Sequence, residues 1–167
     1  YRALTISKPD FVPAHMGLGT LLEKGGDIEN AKLSYKKALE LDPKFAPAAN
    51  NLAWHLANEG GDLGEALRLA MVAKEQAPED PSVTDTLGFV HLKRGSNDLA
   101  LRQFAQAVDK SPDNPTIRYH LSLALEAVGK IDEAKKELTR ARAQAGSFPE
   151  KEEAAKRLSD RALVDAS

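Results

Sequence analysis

Four histidines, His15, His55, His91 and His120, are the side chains in this chain best able to ligate a metal or move a proton near neutrality. No two stand at i, i+4, the spacing that would put a ligand pair on one helix face. The chain has no cysteine, which removes disulfides and thiolate metal sites. The sequence contains no glycine-rich phosphate loop, no Gly-x-Ser-x-Gly elbow and no His-Glu-x-x-His. Gly25-Gly26 and Gly60-Gly61 read as turns rather than phosphate cradles. No catalytic residue, cofactor or metal is therefore expected, and the reading is of a protein that is not an enzyme. The chemistry that remains belongs to a surface. Met16 and Thr20, Asn50 and Trp54, Asp85 and Phe89, and Tyr119 and Leu123 are i, i+4 pairs, and they gather Met, Trp, Phe and Tyr although aromatics are 5% of the chain. Side chains of this kind anchor peptides. Asn51, beside Asn50, adds a second amide suited to a ligand's backbone.

The elements that would position these residues follow from the prolines and glycines. Pro9, Pro43, Pro78 and Pro112 form one ladder, and Pro13, Pro47, Pro81 and Pro115 form a second with evenly spaced rungs. Gly26, Gly60, Gly95 and Gly129 keep the same interval, with one step a single position longer, as in the first proline series. Leu18, Leu52, Leu87 and Leu121 keep the register, each followed by a small residue: Gly19, Ala53, Gly88 and Ser122. Ala31, Ala66, Ala100 and Ala134 recur with them. A fixed period of this size marks a repeat architecture. Within each period the apolar spacing is helical, as in Ile117, Leu121, Leu125 and Val128. The glycines fall where a helix stops and positive φ is needed. One proline series bars continuation of a second helix, and the other opens the next first helix. The small residues predict close approach of the paired helices, with Ala31, Ala66, Ala100 and Ala134 answering from the other side.

These residues resemble the tetratricopeptide repeat, a helix–turn–helix unit whose length equals this interval. The resemblance runs through His15, Leu18-Gly19, Leu22, Ala31, Tyr35 and Pro43, then Leu52-Ala53, Leu56, Ala66, Ala70 and Pro78. It continues through Leu87-Gly88, His91, Ala100, Phe104 and Pro112, then Leu121-Ser122, Leu125, Ala134 and Leu138, with Gly146 in place of proline. It implies an all-α fold, a right-handed superhelical α-solenoid of antiparallel helix pairs. His91 stands where the family prefers tyrosine, and the other three histidines are expected to be partly exposed. The implied organisation is the second helix of a preceding repeat at 1–11, repeats at 12–45, 46–80, 81–114 and 115–146, and a capping helix and tail at 147–167. Pro149 is read apart from both proline series, in a Ser147-Phe148-Pro149-Glu150 capping box before a helix with Ala154, Leu158 and Ala162 on one face. Asn50-Asn51-Leu52-Ala53-Trp54, Asp85-Thr86-Leu87-Gly88-Phe89 and Arg118-Tyr119-His120-Leu121 also resemble the C-terminal repeats of bacterial envelope lipoproteins of exopolysaccharide and PEP-CTERM export systems.

In the resembled family the first helices line a concave groove. The expected partner groove is Met16, Thr20, Asn50, Asn51, Trp54, Asp85, Phe89, Tyr119 and Leu123. Trp54 and Phe89 could equally pack between adjacent first helices. The family's chaperone-binding members grip a carboxylate with Lys, Arg and Asn. Met16, Thr20, Asn51, Ser82 and Thr86 stand at those places, so recognition of chaperone tails is not expected. The expected function is a non-catalytic scaffold binding a protein or peptide in a larger, bacterial assembly. The alternatives are a spacer or self-association segment of a longer array, acting through the helix at 1–8, and an accessory domain of an envelope or exopolysaccharide secretion protein. The 23 Lys and Arg against 25 Asp and Glu argue against nucleic acid as a partner. No apolar run is long enough to span a bilayer. The period and Tyr1 suggest a piece of a longer array, and the envelope resemblance leans its location toward the periplasm.

Overall fold

The computed structural model describes residues 1–144 and 148–165, with side chains through Asp160. Gly146, Ser147 and the side chain of Ala162 lie outside the described residues. Every regular element among the described residues is an α-helix. Length alone suggests one domain, but the chain forms two compact units, Tyr1–Pro78 and Glu79–Ser167. The reason is the repeat itself: each helix pair touches only its neighbours, so no single core gathers the whole chain.

The first unit holds α1 (Arg2–Ser7), α2 (Val12–Lys24), α3 (Ile28–Leu41), α4 (Ala46–Asn58) and α5 (Leu63–Gln76). The second holds α6 (Pro81–Lys93), α7 (Asn97–Lys110), α8 (Pro115–Ala127), α9 (Ile131–Ala143) and α10 (Lys151–Asp165). The closest partners are α2 with α3, α4 with α5, α6 with α7, and α8 with α9. Prolines sit in the first turns of α2, α4, α6 and α8, where no helical N–H is lost. Asp27, Asp62, Asp80 and Asn114 cap helices by accepting from backbone N–H groups of the first turn.

Each first helix ends in the same way. Gly26, Gly60, Gly95 and Gly129 have φ of 80, 69, 75 and 80°. The following N–H then donates back to a carbonyl of the helix's last turn: Asp27 to Leu22, Gly61 to Leu56, Ser96 to His91 and Lys130 to Leu125, at 2.8–2.9 Å. That is the Schellman closure, which a left-handed residue makes possible.

The small residues work as expected, but against a different partner. A Cβ on Gly19 would overlap the Tyr35 ring, and one on Gly88 would lie 2.8 Å from the Phe104 ring. The second helix thus answers with a ring, while Ala31 and Ala100 are buried beside the contact. Where the first helix carries Ala53 or Ser122, the equivalent second-helix residues are Ala70 and Leu138, both fully buried.

The last helix also departs from expectation. Pro149 follows Pro115 by the same interval that separates Pro115 from Pro81, so it is a further rung of the same ladder. On that register α10 is a first helix, and Lys156 stands where Ser122 stands in α8. Lys156 is exposed. A long charged side chain thus stands at the position that holds a small residue in α2, α4, α6 and α8. The other face of α10 packs Ala154 and Leu158, with Phe148, against Tyr119, Leu138 and Ala141.

Replacing Gly88 with Ala tests the close approach. With Phe104 and Gln103 backing the site, overpacking should cost roughly 1–3 kcal/mol. The urea midpoint of Gly88→Ala should fall accordingly; an unchanged midpoint would show that the ring can yield.

Candidate partner-binding face

In the first unit the expected groove residues lie on two first helices. Met16 and Thr20 are on α2, and Asn50, Asn51 and Trp54 are on α4, all partly buried. Thr20 donates to the Met16 carbonyl at 3.2 Å. Asn51 is already engaged: its Nδ2 donates to the Tyr35 hydroxyl at 3.2 Å and its Oδ1 accepts from Asn50 at 3.3 Å. The Tyr35 hydroxyl donates to Glu23 Oε2 at 2.5 Å. Burial, and then the bond to Glu23, push the Tyr35 phenol above its usual range. Asn51 is therefore a brace joining α2, α3 and α4 rather than an amide held ready for a ligand. Asn50 keeps a buried Oδ1 without a hydrogen bond.

The second unit treats the same register differently. Asp85, Phe89 and Tyr119 are buried, with Phe89 and Tyr119 each 6% exposed, and only Leu123 stays partly open. His120 of α8 explains this. Its Nδ1 lies 2.9–3.0 Å from both oxygens of Asp85 on α6. Its ring is flanked by Phe89 at 5.2 Å, Phe104 at 5.6 Å and Tyr119 at 5.9 Å between centroids. The two aromatics predicted as anchors thus pack round a buried polar pair. Tyr119 also joins the cluster beneath α10, and burial raises its phenol. Lys93 lies 5.0 Å over the Phe89 ring, a cation–π contact.

Three of the four histidines depart from the sequence reading. His15, His55 and His120 are buried rather than partly exposed. His15 Nε2 is 2.7 Å from the Pro9 carbonyl and His120 Nδ1 faces Asp85, whereas His55 Nε2 is buried without a hydrogen bond. His91 is the partly exposed one. Burial, and then Arg94, hold His91 below the usual imidazole range. Among the described residues no group of three or more His, Cys, Asp or Glu is placed to hold a metal ion.

Sequence reasoning missed two features. Glu153 and Arg157 follow Tyr119 and Leu123 by one full repeat, so α10 carries the same register. Arg157 bonds Glu126 at 2.9 Å and Glu153 at 3.1 Å. The constant interval was the signal for them. The second feature is a recurring cleft beside the second helices. It measures about 470 Å³ over Leu52 and Leu56, and about 440 Å³ over Leu121 and Leu125. Charged residues rim both, among them Lys36, Glu65 and Arg68 in one and Lys130, Glu133 and Lys136 in the other.

Comparison with known proteins agrees with this geometry. Models of the tetratricopeptide repeat match residues 12–45, 34–68 and 91–160. A TPR repeat-containing protein of Pseudomonas aeruginosa is 30% identical over 94 residues, 56% of this chain and 16% of that protein. The matched stretch thus spans about a sixth of that relative's length. Among solved structures, a thermophilic TPR protein of Thermus thermophilus superposes with a TM-score of 0.75 at 24% identity, over 97% of this chain and 86% of that one. YrrB, a TPR protein with an unusual peptide-binding site, gives 0.69 at 23% identity, over 86% and 74%. The helix pairs, their glycine turns and these matches together make the chain a member of the tetratricopeptide repeat family, an all-α solenoid fold of protein-interaction scaffolds.

Proposed function

We propose that the chain is a non-catalytic scaffold that binds a peptide segment or helix of a partner protein, anchored on the α2–α4 face of the first unit. The carrying observation is Trp54, the one tryptophan of the chain. It is half-buried on α4, in register with Thr20 on α2, and in i, i+4 spacing with Asn50. Met16 and Asn50 complete the face. It is mostly apolar and holds no formal charge, so a partner segment with aromatic or aliphatic anchors suits it better than an acidic one. In the second unit Leu123 is the open member of the register, while Asp85, Phe89 and Tyr119 serve packing. Membership of a larger bacterial assembly, including an envelope export system, belongs to this proposal as its setting.

A second reading is self-association through the N-terminal edge. Ile6 is 82% exposed, and Tyr1 and Phe11 are exposed beside it. Sedimentation velocity decides it: a concentration-dependent dimer supports this reading, and a strict monomer removes it.

Panning a random dodecapeptide library against the full chain tests the first reading. Enriched peptides should carry apolar anchors, and Trp54→Ala should weaken them at least about tenfold. A cooperative thermal transition in that variant separates lost binding from lost folding. No enrichment, or equal binding by Trp54→Ala, would remove the reading. An acidic C-terminal pentapeptide should show no micromolar binding by calorimetry, since no cation stands in this face.

A further inference from the structure

We infer that the α2–α4 face selects a partner segment that carries an arginine beside its apolar anchors, with Glu23 as the acceptor. This rests on the reading of that face as a peptide site. The carrying observation is the direction of the hydrogen bonds that border the face. Asn50 Nδ2 donates to Asn51 Oδ1 at 3.3 Å, Asn51 Nδ2 to the Tyr35 hydroxyl at 3.2 Å, and that hydroxyl to Glu23 Oε2 at 2.5 Å. A carboxylate only accepts, so Glu23 fixes the direction of everything behind it. The Tyr35 proton is committed to Glu23, Asn51 turns its amide nitrogen to Tyr35, and its oxygen is left for Asn50. Thr20 spends its hydroxyl proton on the Met16 carbonyl. The oxygens left without a hydrogen bond are Asn50 Oδ1 and Glu23 Oε1. A ligand that answers them must bring N–H donors.

Charge points the same way. The Glu23 side chain is 34% exposed, so a partner can reach it. Among the described residues no Lys or Arg nitrogen stands within 4.0 Å of its carboxylate, where the nearest basic group is His55 Nε2 at 3.5 Å. Its neighbour Glu59 differs, because Lys32 bridges it to Glu29 at 2.5 and 2.6 Å. Glu23 is thus the carboxylate of this face that still lacks a strong cation.

Glu23 also lies where the anchors are. It follows Thr20 by three positions and Met16 by seven, which puts all three on one side of α2. Across the gap the Tyr35 hydroxyl links it to Asn51, and Trp54 follows Asn51 by three positions on α4. Carboxylate and indole therefore border the same stretch of the face. Arginine fits this pair better than lysine. Its guanidinium stays charged, offers N–H groups in a fixed fork and stacks flat on aromatic rings. Tryptophan is the best ring for such a cation. One arginine can donate to Glu23 and lay its plane on Trp54, while an adjacent apolar residue covers Met16.

Dodecapeptides selected on the full chain are the probes, with affinities read by calorimetry. They should carry arginine next to an apolar residue more often than the unselected library. Replacing that arginine with citrulline, which keeps the shape and removes the charge, should weaken binding at least about tenfold. Glu23→Gln keeps an acceptor for Tyr35 and should bind the two peptides within about twofold of each other. If Glu23→Gln fails to fold, the arginine and citrulline peptides on wild type still decide between charge and shape. Peptides that depend on Trp54 but bind equally well with citrulline overturn the arginine and leave the peptide site standing. A preference for arginine kept in full by Glu23→Gln overturns Glu23 as its acceptor. Peptides that bind Trp54→Ala as well as wild type, or no selected peptide at all, remove the face itself.

Discussion

The contact on which the fold depends is a second-helix side chain seated on a first helix with almost no side chain of its own. Gly19 beneath Tyr35 and Gly88 beneath Phe104 let two helices approach until the ring fills the space a Cβ would take. Dispersion attraction falls off steeply with even a small gap, so this depth of insertion sets how much packing each pair gains. At the equivalent positions of the other two pairs, Ser122 goes with Leu138 and Ala53 with Ala70, all fully buried. The ring is thus used in two of the four pairs, and Ala53 with Ala70 fills less volume than the rest.

Close approach has a polar consequence. First helices brought together in this way enclose groups that water would otherwise solvate, and each must find a partner. In the first unit Tyr35 meets this by reaching past Gly19 to Glu23 and by accepting from Asn51. In the second, the Phe104 ring has no hydroxyl, and the polar link passes instead between Asp85 and His120. One architecture therefore carries two different braces. The choice follows from whether the inserted ring bears an oxygen.

That difference explains what was and was not legible in the sequence. The helix pairs and turns were readable because proline, glycine and alanine act locally, through φ, a missing N–H or the absence of a side chain. The candidate site was readable only by position. Periodicity places Asp85, Phe89 and Tyr119 on the same stripe as Asn50, Trp54 and Thr20, but it does not weigh burial. Burial there was decided by His120, whose pairing with the distant Asp85 leaves no local mark. Asn51 likewise looked like a ligand contact until Tyr35 claimed it. His55 and His120 were misjudged for the same reason: an isolated imidazole looks exposed on average, whereas these two lie against carboxylates distant in sequence.

The two units therefore use the same register in opposite ways, and this bears on recognition. A stripe position can fill the space between helices or stay open to a partner, but a side chain that does the first has little surface left for the second. Around His120, three rings are committed inward and the stripe becomes core. Around Tyr35, the brace is made by Glu23 and Asn51, which flank the stripe, and Trp54 keeps part of its surface. Polar bracing from beside the stripe leaves Trp54 only partly buried, whereas bracing within it buries Phe89 and Tyr119. The terminal helix follows the same logic from the other side. At the register of Tyr119 and Leu123 it carries Glu153 and Arg157, which pair with one another, and at the close-approach position it carries Lys156. α10 thus covers the repeat before it through Ala154 and Leu158, while the register positions that are apolar or small in the earlier first helices carry charge.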